Sequence, residues 1–392
     1  MKKDKSHFIY WCWLNQGEPG PLNHVRDFLR IISDSKFFDK IVVFSNINLN
    51  KNLKEIYVCN ISTKSYLVFQ IISFFRMVKS FSKTEHQVFY FRYCSFLFLP
   101  IFLKLMGKRE IFLEINGIPN QFLLEGLRRP FTKYFRKLLL QQYDRFLFQR
   151  VDHIVTVCSV FRDNLVKNYG VRKVILAPNG IFIDKVKLMS RNVAKRLLGL
   201  DKKKRYCIYV GALVYYEGLE FLIEAFQDFC RSYSTNDVVL LILGDGNLRR
   251  KLQFQIAPAY KKNIIFLGYI GREKTRQYIA ASHIGVYTPQ SVSYGYDGQR
   301  GGSPLKIIDY LAAGRPILVP KSKYYAYVES EQIGFLYEPE NSKSFGDALN
   351  KLIYDDAKCD KLGENARRYA ESHLDWKITL SHLLAILGKE KK

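Results

Sequence analysis

The sequence has 392 residues, of which 48% are hydrophobic, 15% are aromatic and 25% are charged. At about 100 to 200 residues per domain, this length predicts two domains, and the apolar content excludes an intrinsically disordered chain. The 61 Lys and Arg exceed the 36 Asp and Glu, for a formal net charge of +25. Such an excess favours a polyanion or an anionic surface as partner.

The seven cysteines occur singly, with no C-x-x-C pair. This pattern argues against a disulfide framework and against a zinc site, and it favours the reducing cytoplasm. The apolar run near the N-terminus covers only Phe8–Leu14 and lacks a small-residue cleavage site. The longest uncharged apolar stretch, Tyr93–Leu103, is shorter than the roughly 18 to 20 residues of a spanning helix. We therefore expect neither a signal peptide nor a transmembrane segment.

Short apolar runs alternate with longer amphipathic stretches, which is typical of βαβ units on a parallel sheet. In the first half the predicted strands are Phe8–Trp13, Lys40–Phe44, Glu55–Val58, Val88–Phe91, Glu110–Glu114, His153–Val157 and Val174–Ala177. The predicted helices lie near 22–33, 64–82, 94–106, 121–150 and 159–168. After the turn Pro178-Asn179-Gly180 the pattern restarts with the strands Tyr206–Val210, Val238–Leu243, Ile264–Leu267, His283–Tyr287, Pro316–Val319 and Phe335–Tyr337.

This restart predicts an α/β protein of two Rossmann-like domains. We place the N-terminal domain at 1–184 and the C-terminal domain at 185–370. The remaining residues, 371–392, complete a last helix over 363–387 that is expected to cross back to the N-terminal domain. No short internal repeat is present.

One short helix after residue 300 has start and stop signals at both ends. Ser303 is expected as its N-cap, Pro304 as its first helical residue and Gly314 as the left-handed residue that ends it. The N–H groups at its start favour an anion such as a diphosphate. Lys306 adds a positive charge in the first turn, and Asp309 offers a carboxylate to ribose hydroxyls. The alternative is an ordinary capped helix with an exposed Lys–Asp pair.

This segment, Gly301-Gly-Ser-Pro-Leu-Lys-Ile-Ile-Asp-Tyr-Leu-Ala-Ala-Gly314, resembles the donor-binding helix of retaining glycosyltransferases of family 4, in the variant with a Ser-Pro-x-Lys lead-in. Other segments similar to the family follow in its order: Asn179-Gly180, Tyr209-Val-Gly211, Tyr215–Phe226, Leu243–Gly246 and Ile265–Ile270. The resemblance covers nearly all of 150–385. It is weaker in the N-terminal half, where Gly17–Gly20 resembles the first glycine loop and Phe112–Pro119 the strand end beside the catalytic cleft.

The resemblance implies the GT-B fold, in which two Rossmann-like domains face each other across a cleft. It also implies transfer of a sugar from a nucleotide-diphosphate sugar to a saccharide acceptor, with retention of the anomeric configuration. The donor-binding residues implied are Gly20, Gly211, Gly246, Gly268, Tyr269, Ile270, Arg300, Gly302, Ser303, Pro304, Leu305 and Asp309. The catalytic residues implied are Lys306, Asn116 and Glu114.

Four positions depart from the family pattern. Gly301 replaces the first Glu of the usual pair, and Asp309 replaces the second with a side chain one methylene shorter. Ala212 and Glu217 stand where the family carries the Arg and Lys that clamp the diphosphate. Asn116 occupies what looks like a His position. The positive charge that clamps the diphosphate is therefore expected from Lys306, Arg300 or Arg315, or it is absent.

A glycosyl–phosphate bond breaks when the leaving diphosphate is stabilised, and a helix N-terminus with Lys306 is expected to provide this. The departing phosphate oxygen then takes the acceptor's proton on the same face, which gives retention without a protein nucleophile. No Asp-x-Asp motif occurs. We therefore expect no metal and no cofactor besides the nucleotide-sugar substrate.

Three further features have ordinary structural explanations beside functional ones. Gly244-Asp245-Gly246 is also compatible with a plain tight turn, and Glu114 with a structural hydrogen-bond acceptor at a strand end. His24 and His153 have no partners at ligand spacing, so we expect them to be structural.

Residues 126–150 combine seven Lys and Arg with aromatic and aliphatic residues. The basic residues proposed to face a membrane or acceptor are Arg128, Arg129, Lys133, Arg136 and Lys137. Residues 66–83 have a similar composition. A basic amphipathic helix favours an anionic lipid surface, and the alternative is a helix that packs its apolar side on the sheet. No nucleic-acid-binding motif accompanies the charge, so nucleic acid is not expected as a partner.

The sequence therefore predicts a retaining GT-B glycosyltransferase, cytoplasmic and peripheral on the inner face of the membrane, that extends a lipid-linked precursor of a cell-surface polysaccharide. Two alternatives stay open. One is another GT-B enzyme, such as a nucleotide-sugar epimerase or an inverting transferase. The other is a catalytically silent binding subunit of a glycosylation complex, which Gly301, Ala212 and Glu217 favour.

Overall fold

A computed structural model describes residues 6–14, 19–49, 56–79, 86–107, 109–117, 119, 130–290 and 303–389. The chain forms two compact units. Unit 1 comprises Met1–Pro178 with Leu380–Lys392, and unit 2 comprises Asn179–Thr379. The prediction of two parallel-sheet α/β domains is confirmed.

Unit 1 contains a seven-stranded sheet in the order β3-β2-β1-β4-β5-β6-β7, and each neighbouring pair is parallel. Its strands are β1 (Ser6–Cys12), β2 (Lys40–Ser45), β3 (Ile56–Asn60), β4 (His86–Arg92), β5 (Glu110–Ile115), β6 (His153–Thr156) and β7 (Val174–Leu176). Its helices are α1 (Pro19–Ser35), α2 (Tyr66–Lys79), α3 (Leu99–Leu105), α4 (Pro130–Phe148), α5 (Ser159–Tyr169) and α15 (Ser381–Lys389).

Strand alternation divides the core of unit 1 between the two faces of the sheet. On one face Trp11, Phe89 and Phe91 share a cluster with residues of α2, α3, α4 and α5. On the other face Phe8, Tyr10 and Tyr90 contact Phe28 of α1. Because both faces are covered, the strands are nearly continuous apolar runs.

Unit 2 contains a six-stranded parallel sheet in the order β10-β9-β8-β11-β12-β13. Its strands are β8 (Arg205–Val210), β9 (Val238–Leu243), β10 (Ile264–Gly268), β11 (Ile284–Val286), β12 (Ile317–Pro320) and β13 (Gly334–Tyr337). Its helices are α6 (Arg191–Leu197), α7 (Leu219–Ser232), α8 (Arg249–Phe254), α9 (Arg272–Ala281), α10 (Leu305–Ala312), α11 (Tyr327–Ser330), α12 (Ser342–Ile353), α13 (Asp356–His373) and α14 (Trp376–Thr379). Short 3₁₀ turns occur at Ile183–Lys185, Tyr215–Glu217 and Pro258–Tyr260. Two apolar clusters lie against this sheet, one around α7 and α12 and one around α10 and α13.

The last predicted helix, 363–387, is wrong as one element. Three helices, α13, α14 and α15, occupy this region, and α13 ends at His373. The break occurs because the chain at Asp375 pairs with Ile181 in an isolated parallel bridge, and Trp376 N donates to Ile181 O at 3.1 Å. A continuous helix would use those backbone groups internally.

The same bridge determines where unit 2 begins. It holds the segment after Pro178 against α14, so the chain enters unit 2 at residue 179, where the sequence predicted 185. The chain rejoins unit 1 at Leu380, where the sequence placed the change at 371, and α15 packs near β7. One predicted helix is also shorter than expected, since the helix predicted over 94–106 begins only at Leu99. The helix predicted over 121–150 is present over 130–148, and its residues 121–129 lie outside the described residues.

Candidate functional site

The carboxyl edge of the sheet in unit 2 is lined by glycines. Gly211 N donates to Leu243 O at 2.9 Å, and Gly244 N donates to Gly268 O at 2.8 Å. A Cβ on Gly244 would lie 1.8 Å from Gly211 O, and one on Gly246 would lie 2.4 Å from Leu213 O. The structure thus brings the predicted residues Gly211, Gly246 and Gly268 to one edge, where parallel α/β sheets bind ligands.

Helix α10 starts at this side of the sheet with a different cap from the predicted one. Pro304 is the N-cap, with extended φ and ψ of −72° and 124°, and the helix begins at Leu305. No side chain caps this end. The prediction of Ser303 as N-cap is wrong, because its hydroxyl instead accepts a hydrogen bond from Asn179 N at 3.2 Å.

The C-terminal end of α10 is the predicted one. Gly314 has φ of 67°, and Gly314 N donates to Leu311 O at 3.0 Å while Arg315 N donates to Tyr310 O at 3.0 Å. This is a Schellman motif, which needs a left-handed residue at that point. A glycine there, recognised from the sequence, therefore ends the helix.

Lys306 lies in the first turn of α10 but is not exposed. Its side chain is 8% accessible and forms a salt bridge with Glu217. Its ammonium also donates to Tyr209 Oη at 3.2 Å and lies 4.6 Å and 4.7 Å from the ring centroids of Tyr209 and Tyr287. Burial lowers the pKa of Lys306, and Glu217 partly offsets that effect. The alternative of an exposed Lys–Asp pair is therefore wrong for Lys306.

The pairing gives Gly211 and Glu217 a structural explanation. A Cβ on Gly211 would lie 2.9 Å from Lys306 Nζ, so glycine leaves room for the ammonium. Glu217, noted in the sequence as a departure from the family's lysine, is the counter-ion of Lys306. Sequence reasoning missed this pair and the two tyrosine rings, because residues 217 and 306 are joined only by the fold.

Asp309 is half-buried and lies three residues after Lys306 on α10. Tyr310, next to it, is fully buried and accepts a hydrogen bond from Val210 N at 2.8 Å, which anchors the helix to the end of β8. The surrounding residues Ile307, Ile308 and Leu311 are also buried. The helix is therefore held firmly while its Asp309 side remains partly accessible.

The remaining predicted donor residues are placed as follows. Tyr269 follows β10 with 69% of its surface exposed, and Ile270 is half-buried. Arg249, which sequence reasoning missed, has its guanidinium 3.2 Å from where a Cβ on Gly268 would lie, and it pairs with Asp245 at 2.9 Å. Arg300 and Gly302 lie outside the described residues.

Arg315, one alternative source of charge, is buried and donates to the carbonyl oxygens of Met189, Ala280 and Gly314. Burial lowers its pKa to about 10. Its guanidinium is hydrogen-bonded to three backbone carbonyl groups, so it does not supply a free cation to the edge of the sheet.

A second polar cluster lies in unit 1 around Glu114, near the end of β5. The Glu114 carboxylate is 2% exposed and accepts from His24 Nε2 at 2.7 Å, from Arg92 at 3.5 Å and from Tyr10 Oη at 3.5 Å. The Nδ2 of Asn116 donates to the same carboxylate. Burial alone would raise the pKa of Glu114, but His24, Arg92 and Asn116 outweigh it and lower the pKa to about 2.

Glu114 is therefore ionised at neutral pH and acts as a hydrogen-bond acceptor. His24 and His153 were predicted to be structural, since the sequence offers them no partner at ligand spacing. In the structure His24 pairs with Glu114, and His153 pairs with Glu110 at 2.9 Å. Among the described residues, no donor reaches the buried Oδ1 of Asn116. Gly20, expected in a loop, lies in the first turn of α1.

Helices α2, α3 and α4 of unit 1 expose apolar side chains. These helices lie on the same face of the sheet, and Phe74 of α2 contacts Phe102 of α3. The exposed apolar residues include Leu67, Ile71, Phe75, Phe102, Leu105, Tyr134, Phe135, Leu138 and Leu139. Arg136 and Lys137 are exposed between them on α4. Arg128, Arg129 and the side chain of Lys133 lie outside the described residues.

No described helix is both long enough and apolar enough to traverse a bilayer. No group of three or more His, Cys, Asp or Glu side chains in the described part of the chain is arranged to hold a metal ion.

Comparisons with known proteins agree with this architecture. Residues 190–369 match the family model of glycosyl transferases group 1. An uncharacterised glycosyltransferase of Methanocaldococcus jannaschii is 23% identical over 383 residues, which cover 93% of this chain and 94% of the relative. The UDP-Gal:alpha-D-GlcNAc-diphosphoundecaprenol alpha-1,3-galactosyltransferase of Escherichia coli is 26% identical over 65% of both chains.

Solved structures share the fold of nearly the whole chain. HepE of Anabaena in complex with UDP-glucose has a TM-score of 0.75 at 15% identity and covers 98% of this chain and 99% of its own. Sucrose-phosphate synthase of Thermosynechococcus elongatus has a TM-score of 0.75 at 14% identity, with 98% of each chain covered. These structures show that the chain has the GT-B fold, and residues 190–369 are similar to glycosyl transferases group 1.

Proposed function

We propose that this protein is a retaining glycosyltransferase that transfers a sugar from a nucleotide-diphosphate sugar to a lipid-linked saccharide during cell-surface polysaccharide synthesis. The observation that carries the proposal is the edge of unit 2, where Gly211, Gly246 and Gly268 lie near the start of α10 with Lys306 and Asp309 on it. Close backbone approach, a helix N-terminus and a half-buried carboxylate suit a nucleoside diphosphate. HepE, which shares the fold, was solved with UDP-glucose.

In the proposed reaction the bond between the anomeric carbon and the diphosphate oxygen breaks, and a bond to the acceptor oxygen forms on the same face. The acceptor's proton passes to the departing phosphate oxygen. The residues of unit 2 stabilise the leaving group, and Glu114, being ionised, serves as a support. The amide of Asn116, whose Nδ2 donates to Glu114, orients the acceptor hydroxyl.

The first test is binding. UDP, GDP and dTDP should each be mixed with the purified protein, and at least one is expected to raise its melting temperature. The matching nucleotide sugar should then be hydrolysed slowly without acceptor, and the anomeric configuration of the product read by NMR. An inverted product, or no shift with any nucleotide, would contradict the proposal.

A silent binding subunit is the second candidate, and the Lys306–Glu217 salt bridge favours it. The pair is formally neutral, so the diphosphate would meet less positive charge than a free lysine offers. This candidate predicts nucleotide binding without hydrolysis or transfer. An epimerase would instead release a sugar nucleotide of changed stereochemistry, which chromatography of the nucleotide products distinguishes.

Asp309→Ala is expected to weaken nucleotide binding without unfolding unit 2. The carboxylate is half-buried on α10, and loss of a charge-assisted hydrogen bond to ribose corresponds to about 1.5 to 3 kcal/mol. Calorimetry with the stabilising nucleotide measures this loss. Asp347→Ala, which removes a half-buried carboxylate that accepts from Tyr233 Oη, is the matched control and should bind normally. Equal affinity in both variants would contradict a ribose contact.

We also propose that unit 1 attaches reversibly to the inner membrane surface through the exposed faces of α2, α3 and α4. Exposed aromatic and aliphatic side chains lie beside Arg136 and Lys137, which suits shallow insertion with electrostatic attraction. The E. coli relative is named for an undecaprenol-linked acceptor, and such an acceptor would be reached at a membrane.

Replacing Arg128, Arg129, Lys133, Arg136 and Lys137 with Gln should abolish binding to vesicles of anionic phosphatidylglycerol. Each basic residue near such a surface contributes about 1 kcal/mol, and salt at about 1 M should release the wild type because the Debye length falls to about 3 Å. Vesicle sedimentation measures both effects. The control removes the same charge from exposed lysines of unit 2: Lys202, Lys203, Lys261, Lys262 and Lys274. If the first variant binds like the second, α4 is only a structural helix.

A further inference from the structure

We infer that Asn179 is a positioning residue that fixes the start of α10 for the nucleotide. This inference rests on the proposed function, because it concerns the same site. Asn179 is the first residue of unit 2, and its two hydrogen bonds reach 124 positions along the chain to Ser303. Its backbone N–H donates to Ser303 Oγ at 3.2 Å, and its side-chain Nδ2 donates to Ser303 O at 2.6 Å.

These contacts hold the residue that precedes the N-cap of α10, a helix start with no side-chain cap. Pro304 at the N-cap has no side-chain oxygen, so the helix start is not fixed by its own residues. Asn179 holds both the hydroxyl and the carbonyl of the residue just before that cap. Two hydrogen bonds to Ser303 restrict the rotation of this residue as well as its position. The first N–H groups of α10 come directly after it in the chain.

Asn179 is itself held by the segment that follows it. A Cβ on Gly180 would lie 2.7 Å from Thr379 Oγ1 and 2.9 Å from Trp376 Cα, so only glycine allows this close approach. Ile181 N donates to Leu374 O at 2.8 Å, and Trp376 N donates to Ile181 O at 3.1 Å. The residues after Asn179 are thus held against α14, which fixes the position of Asn179. Asn179 in turn fixes the position of Ser303 through its hydrogen bonds.

This arrangement explains why the sequence has Asn179 followed by Gly180. Glycine is required for the approach to α14, and an amide is required because Nδ2 must donate to a carbonyl oxygen. An aspartate of the same shape cannot donate and would place a negative charge against Ser303 O. Asn179→Asp is therefore the sharpest variant, and Asn179→Ala is the second in case the first fails to fold.

The experiment is calorimetric titration with UDP, and with GDP and dTDP if UDP does not bind the wild type. Both variants are expected to bind about fivefold to tenfold more weakly, as loss of a hydrogen bond implies. Asn341→Ala is the matched control, because Asn341 accepts from Ser344 N at 2.9 Å in the cap of α12. It should lower the melting temperature without changing the nucleotide affinity.

A double-mutant cycle with Asp309→Ala separates positioning from general destabilisation. If Asn179 acts through α10, the two losses overlap, and the double variant binds less weakly than the product of the single fold-changes predicts. The inference would be overturned if the fold-changes in affinity of the two single variants simply multiplied in the double variant. It would also be overturned if the wild type bound a nucleotide and both Asn179→Asp and Asn179→Ala bound it with the same affinity. If the wild type binds none of the three nucleotides, the proposed function fails and this inference with it.

Discussion

Replacing Glu114 with Gln should lower the free energy of unfolding of unit 1 by about 3 to 5 kcal/mol. The substitution keeps the shape but removes the charge that faces His24 and Arg92 in a site where the carboxylate is 2% exposed. Removing one partner of a buried ionic cluster leaves the charges of the others uncompensated, and this strongly destabilises the folded state. The effect is expected even though the intact cluster itself contributes modest net stability.

The pH dependence provides an independent measurement. The pKa of Glu114 is lowered from 4.5 to about 2, so the folded state favours the ionised form. Its contribution to stability is fully present above pH 4.5 and is lost as the pH falls toward 2, with a total of about 3 kcal/mol. Glu114→Gln should remove this slope between those two pH values.

Tryptophan fluorescence allows unit 1 to be followed alone. The chain has three tryptophans, of which Trp11 and Trp13 lie in unit 1 and Trp376 lies in unit 2. Urea unfolding in a Trp376→Phe background therefore reports unit 1. Glu110→Gln is the matched control on the same strand. Glu110 lies at the other end of β5, where it pairs with His153. Equal midpoints for the two Gln variants would show that the Glu114 cluster does not stabilise the unit.

Lys306→Ala should lower the turnover of donor by about 100-fold while changing the donor half-saturation constant much less. Under the proposed function the ammonium stabilises charge that develops on the leaving diphosphate, and removal of one such group typically has an effect of about 10² to 10³ in kcat. An interaction that strengthens in the transition state affects kcat more than KM. Donor hydrolysis by the purified variant measures both constants.

The salt bridge with Glu217 demands a second variant, because Lys306→Ala leaves a buried carboxylate unpaired. Lys306→Ala combined with Glu217→Gln removes both charges, so it should recover the melting temperature without recovering turnover. Lys321→Ala is the control for loss of a lysine paired with a glutamate, since the exposed Lys321 pairs with Glu338 at 2.9 Å. Recovered turnover in the double variant would show that Lys306 only neutralises Glu217.

The elements themselves follow from local sequence. All thirteen strands of the described residues coincide with predicted apolar runs, because a strand buried on both faces must be apolar throughout. Gly314 was recognised as the end of α10 because the left-handed conformation required there strongly favours glycine. The helices at 19–35, 66–79 and 159–169 lie close to their predicted positions.

Partners that are distant in sequence could not be predicted in the same way. An exposed Lys306 stayed open as an alternative, because nothing within the helix reveals that Glu217 and the rings of Tyr209 and Tyr287 surround it. His24 and Glu114 are 90 residues apart, so no spacing rule connects them. Ser303 was predicted to be a helix cap, but in the folded protein its hydroxyl accepts a hydrogen bond from Asn179 N.

The sequence by itself determined the strands, the two-domain α/β class and the glycines at the carboxyl edge of the second sheet, because these depend on burial pattern and on backbone conformations that few residues adopt. Only the tertiary structure decided which charges are free and which are paired. Electrostatic energy depends on distance and burial, and both are set when parallel strands bring residues from remote parts of the chain to one edge. For that reason Lys306, Glu114 and Asn179 acquired their partners only in the folded protein.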